Sequence, residues 1–222
     1  MPVNLSSKLS RKKTQKYTEA EISYMFKLDK IRTSEILTKW LDTNCTLTNL
    51  EHELFEQIIN DAKDNIDAWN EEELKMNFIA YVIGLSHLKS SKYIRTFYER
   101  TLEAKVEGVY LKTKTDFMIA KGILDLIEAS YFHFQEYKKS KDPNGDPLGQ
   151  LLEAFLIAQT INASNKPIYG AYIIGRFWYF VVMDKKQYCV SKAFDSTEQD
   201  GLINIISILR NFKVILENDL MV

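Results

Sequence analysis

Residues Tyr131–Lys138, YFHFQEYK, alternate as a strand does, so Phe132, Phe134, Glu136 and Lys138 share one face. That face runs from apolar to ionic and closes with a carboxylate beside an ammonium. Charges at the end of a half-buried strand call for a partner or a task. Asp116 lies twenty residues upstream, in a segment that reads as the preceding antiparallel strand. A hairpin of the two brings Asp116 beside Glu136. Two converging hard carboxylates with a lysine two residues beyond one of them form the donor set of a Mg²⁺ site with a built-in cation.

The flanks extend the pattern in both directions. After the strand, KSKDPNGDP is dense in turn formers. Asp146 as N-cap and Pro147 at the first helical position then open a helix through about Ala163, with Gln150 in its first turn. Ile168–Ile174, Arg176–Met183 and Gln187–Lys192 read as three successive strands rich in Tyr, Ile, Val, Phe and Trp. Ser196 is placed to cap a last helix, Glu198–Leu216, which buries Leu202, Ile205, Ile206, Leu209 and Phe212. Upstream, Val106–Ala120 alternates as one or two strands, whereas Tyr93–Ala104 fits either period and stays open.

Asn70 precedes EEELKMNFIAYVIGLSHL, a helical pattern with Leu74, Phe78, Val82 and Leu85 on one stripe and acids in the first turn, where the helix dipole favours them. Capping alone accounts for Glu71–Glu73. Earlier still, residues 18–69 read as a helical lead-in packed on the later core. Thr33 or Ser34 caps one of its helices and Asn49 another. Residues 1–17, with Lys8, Arg11, Lys12, Lys13 and Lys16, read as a basic, frayed terminus or as an arm for phosphates.

Taken in order, TDFMIAKG, FQEYKKSKDPNGDPLGQLLEA and PIYGAYIIGRFWYFVV resemble the PD-(D/E)XK nuclease superfamily, over roughly Asn70–Leu216. They are similar in particular to uncharacterised bacterial proteins related to the nuclease domains of type I restriction enzymes. The GRFWYFVV hairpin resembles one found in such domains. Thr115 stands where the superfamily name has proline, a departure that spares the carboxylate.

The resemblance implies an α/β fold with a restriction-endonuclease-like mixed sheet core flanked by helices, residues 70–222, and the active site at one sheet edge. It also implies that Asp116 and Glu136 bind Mg²⁺ (Mn²⁺ substituting), with the Gln135 or Tyr137 carbonyl as a further oxygen ligand. Lys138 would then orient or activate water, and Gln150 would support the site. Glu71 and Glu73 both match the acidic position that opens the first core helix. The implied activity is Mg²⁺-dependent hydrolysis of phosphodiester bonds, in DNA ahead of RNA. The alternative is an inactive nuclease-fold module that binds nucleic acid or a partner protein. Action as a homodimer stays open.

Composition sets the outer bounds. The chain has 222 residues, 45% hydrophobic and 27% charged, enough for a real core. Its formal net charge of −1 attracts no nucleic acid globally, so binding needs a local patch. Lys112, Lys114, Lys138, Lys139 and Lys141 are the candidates for one; the other reading is scattered solubilising charge. Two cysteines, Cys45 and Cys189, make no disulfide framework or zinc cluster, and a reducing, cytoplasmic setting is expected. No apolar run approaches the roughly 20 residues of a membrane span. His133 points away from Glu136 among aromatics and reads as packing, while His52 and His87 have no evident partner set.

Overall fold

The strand that carries Glu136 is longer than the sequence pattern suggests. In the computed structural model, which describes residues 16–88, 94–138 and 146–220, it begins just after a tight turn at Leu124–Asp125. At 129–132 and Phe134 only the backbone is described. The basic residues Lys8, Arg11, Lys12 and Lys13, and the turn-rich segment with Lys139 and Lys141, lie outside the described residues.

The strands are β1 (Asp29–Lys30), β2 (Ile94–Val106), β3 (Val109–Ile123), β4 (Leu126–Lys138), β5 (Ile168–Ile174), β6 (Phe177–Asp184), β7 (Gln187–Val190) and β8 (Phe194–Asp195). They form one mixed sheet in the order β1-β7-β6-β5-β4-β3-β2, with β8 paired to β6. The β4–β5 and β1–β7 pairs are parallel and the rest antiparallel. The open segment after Tyr93 is therefore a strand, β2, in a long hairpin with β3.

The helices are α1 (Glu19–Phe26), α2 (Glu35–Leu41), α3 (Asn49–Asn65), α4 (Glu71–Leu74), α5 (Ala80–Leu85), α6 (Pro147–Asn162) and α7 (Gln199–Ile215). A π-type turn, Lys75–Ile79, makes α4 and α5 one continuous rod. Two apolar clusters sandwich the sheet. One joins α1 and α6 to Met118, Ala120, Ile168, Val181 and Met183. The other joins α2, α3, the α4–α5 rod and α7 to Phe117, Ile119, Ala171, Ile173, Trp178 and Phe180. The alternation of β5 and β6 between the clusters is the period of two expected of strands covered on both faces. Among the described residues no helix is long and apolar enough to cross a membrane.

Three caps differ from expectation or resolve it. Ser34, not Thr33, caps α2. Thr48 rather than Asn49 caps α3, because Glu51 three residues on completes a capping box. Ser196 does not cap α7: its hydroxyl donates to the Arg176 carbonyl, and Glu198 holds the N-cap position without a side-chain bond. Asp146 does cap α6, and does more. Its Oδ1 accepts from Leu148 and Gly149 N–H (3.0 and 3.1 Å), while Oδ2 accepts from Glu19 N–H (2.6 Å) at the start of α1. One carboxylate thus fastens two helix N-termini together. The approach is close enough that a Cβ on Gly149 would overlap the Tyr17 carbonyl.

Candidate active site

The register Phe117↔Gln135 between β3 and β4 sets Asp116 opposite Glu136. The Tyr137 N–H donates to Asp116 Oδ2 at 2.8 Å and fixes that carboxylate across the strand pair. The site lies where the end of β4 meets the middle of β3, two interior strands flanked by β2 and β5. Glu71 stands in the first turn of α4 and Gln150 in that of α6.

The hairpin is kinked at this level. Phe97 and Leu102 on β2 both join the α6-side cluster although their positions differ by an odd number, and so do Leu111 and Met118 on β3. Regular alternation forbids that. The strand faces turn over between these positions, where Glu99 adopts the left-handed conformation (φ 54°) between the registered pairs Tyr98↔Phe117 and Arg100↔Thr115. A non-glycine residue held there costs on the order of 1–2 kcal/mol. Such strain collects at functional sites.

Lys75, which opens the π-type turn, reaches into the kink. Its Nζ lies 3.0 Å from Asp116 Oδ1, 3.0 Å from Glu99 Oε1, 3.2 Å from Glu71 Oε1 and 3.4 Å from Glu72 Oε1. The other Glu99 oxygen pairs with Lys114. Lys138 does not pair with Glu136, its same-face neighbour. Its Nζ donates to Glu71 Oε2 (3.3 Å) and to the Tyr137 carbonyl (2.8 Å).

Glu71 and Glu73, equivalent in the sequence, part company. Glu73 turns back to accept the Asn70 N–H at 2.8 Å as half of a capping box, while Glu71 bridges Lys75 and Lys138. Both carbonyls considered as metal ligands are engaged, Gln135 by the Thr115 hydroxyl (3.3 Å) and Tyr137 by Lys138.

Glu136 is the outlier. Its side chain is buried (1% exposed), and Oε1 has no hydrogen-bond partner. Burial, and then the Asp116 charge, pushes its pKa well above the usual carboxylate range against the pull of Lys138 and Lys75. Burial also raises Asp116, opposed by the Tyr137 N–H and Lys75. At Lys75 burial works against the charge, but hydrogen bonds to Asp116, Glu99 and Glu71 hold the ammonium protonated. Glu99 is likewise penalised by burial, yet Lys114 and Lys75 hold it down to about 2. Gln150 is buried too, and its Oε1 lacks a partner.

Behind the site, β4 turns a polar ladder into the aromatic core. The Tyr137 hydroxyl donates to Gln135 Oε1 (2.5 Å), and Gln135 Nε2 meets His133 Nε2 (3.0 Å). His133 packs against Trp40, Phe117 and Phe212, as expected of a packed side chain, and burial lowers its pKa to about 3. His52 is exposed on α3, whereas His87 does have a partner, Glu51 Oε1 at 2.7 Å. Lys112 and Lys114 are paired with Glu103 and Glu99.

The donor set suits a hard divalent cation in one respect: Glu136 presents a buried, unpartnered carboxylate oxygen beside Asp116. Among the described residues, however, no three His, Cys, Asp or Glu side chains already converge as a metal-ligating group. Lys75 stands among the carboxylates. No sequence motif points to Lys75; its one signal is the Glu71–Lys75 spacing of four along a helix, which puts both on one face. No family model matches the chain, and no curated protein matches it.

Proposed function

We propose that the chain is a Mg²⁺-dependent nuclease of the PD-(D/E)XK type, with a restriction-endonuclease-like core, that hydrolyses phosphodiester bonds, foremost in DNA. The observation that carries this reading is the buried, unpartnered Glu136 carboxylate opposite Asp116, with Lys138 two residues on. A group so costly to bury has little structural use without a cation. Asp116 and Glu136 would hold Mg²⁺ or Mn²⁺, which when bound supplies polarisation of a phosphate oxygen and acidification of a water.

The chain's own residues do the rest. The Tyr137 N–H fixes Asp116 Oδ2, while Oδ1 meets Lys75. Glu71 and the Tyr137 carbonyl restrain the Lys138 ammonium, which orients the attacking water and offsets charge that builds on the phosphate. Glu71 is a positioning residue, and Gln150 supports the site from α6.

Cleavage of plasmid, linear duplex, single-stranded DNA and RNA with Mg²⁺, Mn²⁺ or EDTA tests the reading. Asp116→Ala, Glu136→Ala and Lys138→Ala should each abolish metal-dependent cutting while the fold survives. Glu71→Ala should weaken it by about tenfold or more, as expected for a displaced positioning group. Glu73→Ala should cost only about 1 kcal/mol of stability, the worth of a cap, and leave cutting intact. Activity that persists in the first three variants sinks the proposal. The second reading, a nuclease-fold module that binds nucleic acid or a partner protein, draws on the occupation of Asp116 Oδ1 by Lys75. It predicts binding without cutting on every substrate and metal.

A further inference from the structure

Lys75 belongs to no motif in the sequence, yet it has more ionic partners than any other described side chain near Glu136. Of the two Asp116 oxygens, Oδ2 accepts the Tyr137 N–H and Oδ1 meets the Lys75 ammonium at 3.0 Å. A Mg²⁺ ion sits about 2.1 Å from each oxygen it binds, so on Oδ1 it would stand within about 5 Å of the ammonium, and the two positive charges would repel each other. The buried Glu136 oxygen next to this cluster is left with no donor. A single ammonium thus neutralises Asp116 without satisfying Glu136.

Lys75 also has somewhere to go. Its other partners step outward to the rim: Glu71, Glu99 and Glu72, whose side chains are 37%, 44% and 79% exposed. A flexible four-carbon stem that starts where the π-type turn begins can let go of Asp116 and keep its charge paired at Glu72 or Glu99.

We propose that Lys75 is a resident cation of the site, holding Asp116 Oδ1 in the metal-free protein, and that a divalent cation binds by displacing it toward the rim carboxylates. The inference rests on the nuclease reading for the metal itself. It adds that metal affinity is set low by competition with a side chain, so that the site fills only where divalent cations are abundant or a bound phosphate adds its own oxygens.

The test is Mn²⁺ and Mg²⁺ titration of the full chain, by calorimetry and by the side-chain ammonium NMR signals. Wild type, Lys75→Met, Lys75→Gln and Glu136→Gln would be compared. Removing the competitor should tighten Mn²⁺ binding at least tenfold in both Lys75 variants. In the wild type, the Lys75 signal should shift as metal is added. The wild-type spectrum decides the matter even if a Lys75 variant does not fold. Metal binding that is lost in Glu136→Gln but is no tighter in the Lys75 variants, or that leaves the Lys75 signal unmoved, overturns the inference and leaves the nuclease reading standing. No divalent binding by any form at millimolar concentrations overturns both.

Discussion

Glu136 is a residue on which stability and chemistry make opposite demands. Its carboxyl is buried, its pKa is raised, and one oxygen lacks a partner. For a carboxyl whose folded pKa is raised, the folded chain binds more protons than the unfolded chain between the two values. Stability is then full below the ordinary pKa of about 4.5 and falls as pH climbs toward the folded value. Glu136→Gln removes that penalty. In EDTA at pH 8 the variant should melt no lower than wild type, with the advantage shrinking toward pH 5, while metal-dependent cutting falls by a factor on the order of 10³ or more, the scale of a lost electrostatic contribution. A variant that melts much lower at pH 8 would mean that Glu136 is a structural anion. The spacing of Asp116, Glu136 and Lys138 was legible because strand register converts sequence distance into proximity. The choice of Glu71 over Glu73 was legible in principle too. With Asn70 as N-cap, Glu73 is the residue whose side chain returns to the cap. Lys75 was not, since its 3.0 Å contact with Asp116 spans 41 residues of chain.

Among the elements, α6 reads most plainly and holds two exceptions to its own pattern, Gln150 and Glu153. From Pro147 to Ala158 every residue is buried, as befits a helix apolar nearly all round, clasped between the sheet and α1. Glu153 sits in the middle of it, 2% exposed, accepting the Lys112 N–H at 3.2 Å, and burial raises its pKa to about 8. The sign is that of Glu136: stability is lost as pH rises from about 4.5 to about 8. Glu153→Gln should therefore raise the melting temperature near pH 8 and change it little near pH 5. The gap amounts to a few kcal/mol at most, since each tenfold change in proton affinity is worth about 1.4 kcal/mol. A pH-independent difference would show that the glutamate is held charged. Strand β2 reads least plainly, and the structure gives the reason. A left-handed residue at Glu99 reverses the faces midway, so neither a period of two nor one of 3.6 survives across it. Strands β1 and β8, two residues each, are too short to carry any period.

At the scale of the whole molecule, a single turn of α7 gathers the segments that precede the sheet. The Trp40 indole N–H donates to the Ile208 carbonyl at 2.9 Å, and Asn211 Nδ2 donates to the Trp40 carbonyl at 2.9 Å, so α2 is pinned at two points. Between them Arg210 spreads its guanidinium over three segments. Nε and Nη2 donate to the Leu85 carbonyl at the end of α5 (2.9 and 2.8 Å), Nη1 to the Thr46 carbonyl (3.2 Å), and Nη2 to Glu51 Oε1 in α3 (2.6 Å). The sequence shows the apolar stripe of α7 but not this hub, because a lone arginine on a helix looks like a solvated charge until its partners arrive from 125 to 164 residues away. The α4–α5 rod that presents Glu71 and Lys75 to Asp116 leaves the hub at Leu85, so the setting of the rod depends on a contact far from the site. Arg210→Ala takes two donors from the Leu85 carbonyl, one from the Thr46 carbonyl and one from Glu51 Oε1, which keeps His87, and should cost about 2 kcal/mol. Glu51→Gln, which keeps an acceptor for the Thr48 N–H, should cost less. A double-mutant cycle of the two should show coupling on the order of 1 kcal/mol or more. Hydrogen exchange should locate the Arg210→Ala loss in α2, α3 and the α4–α5 rod, with β5 and β6 protected as in wild type. Uniform loss of protection across the sheet would mean instead that the lead-in and the sheet unfold as one cooperative unit.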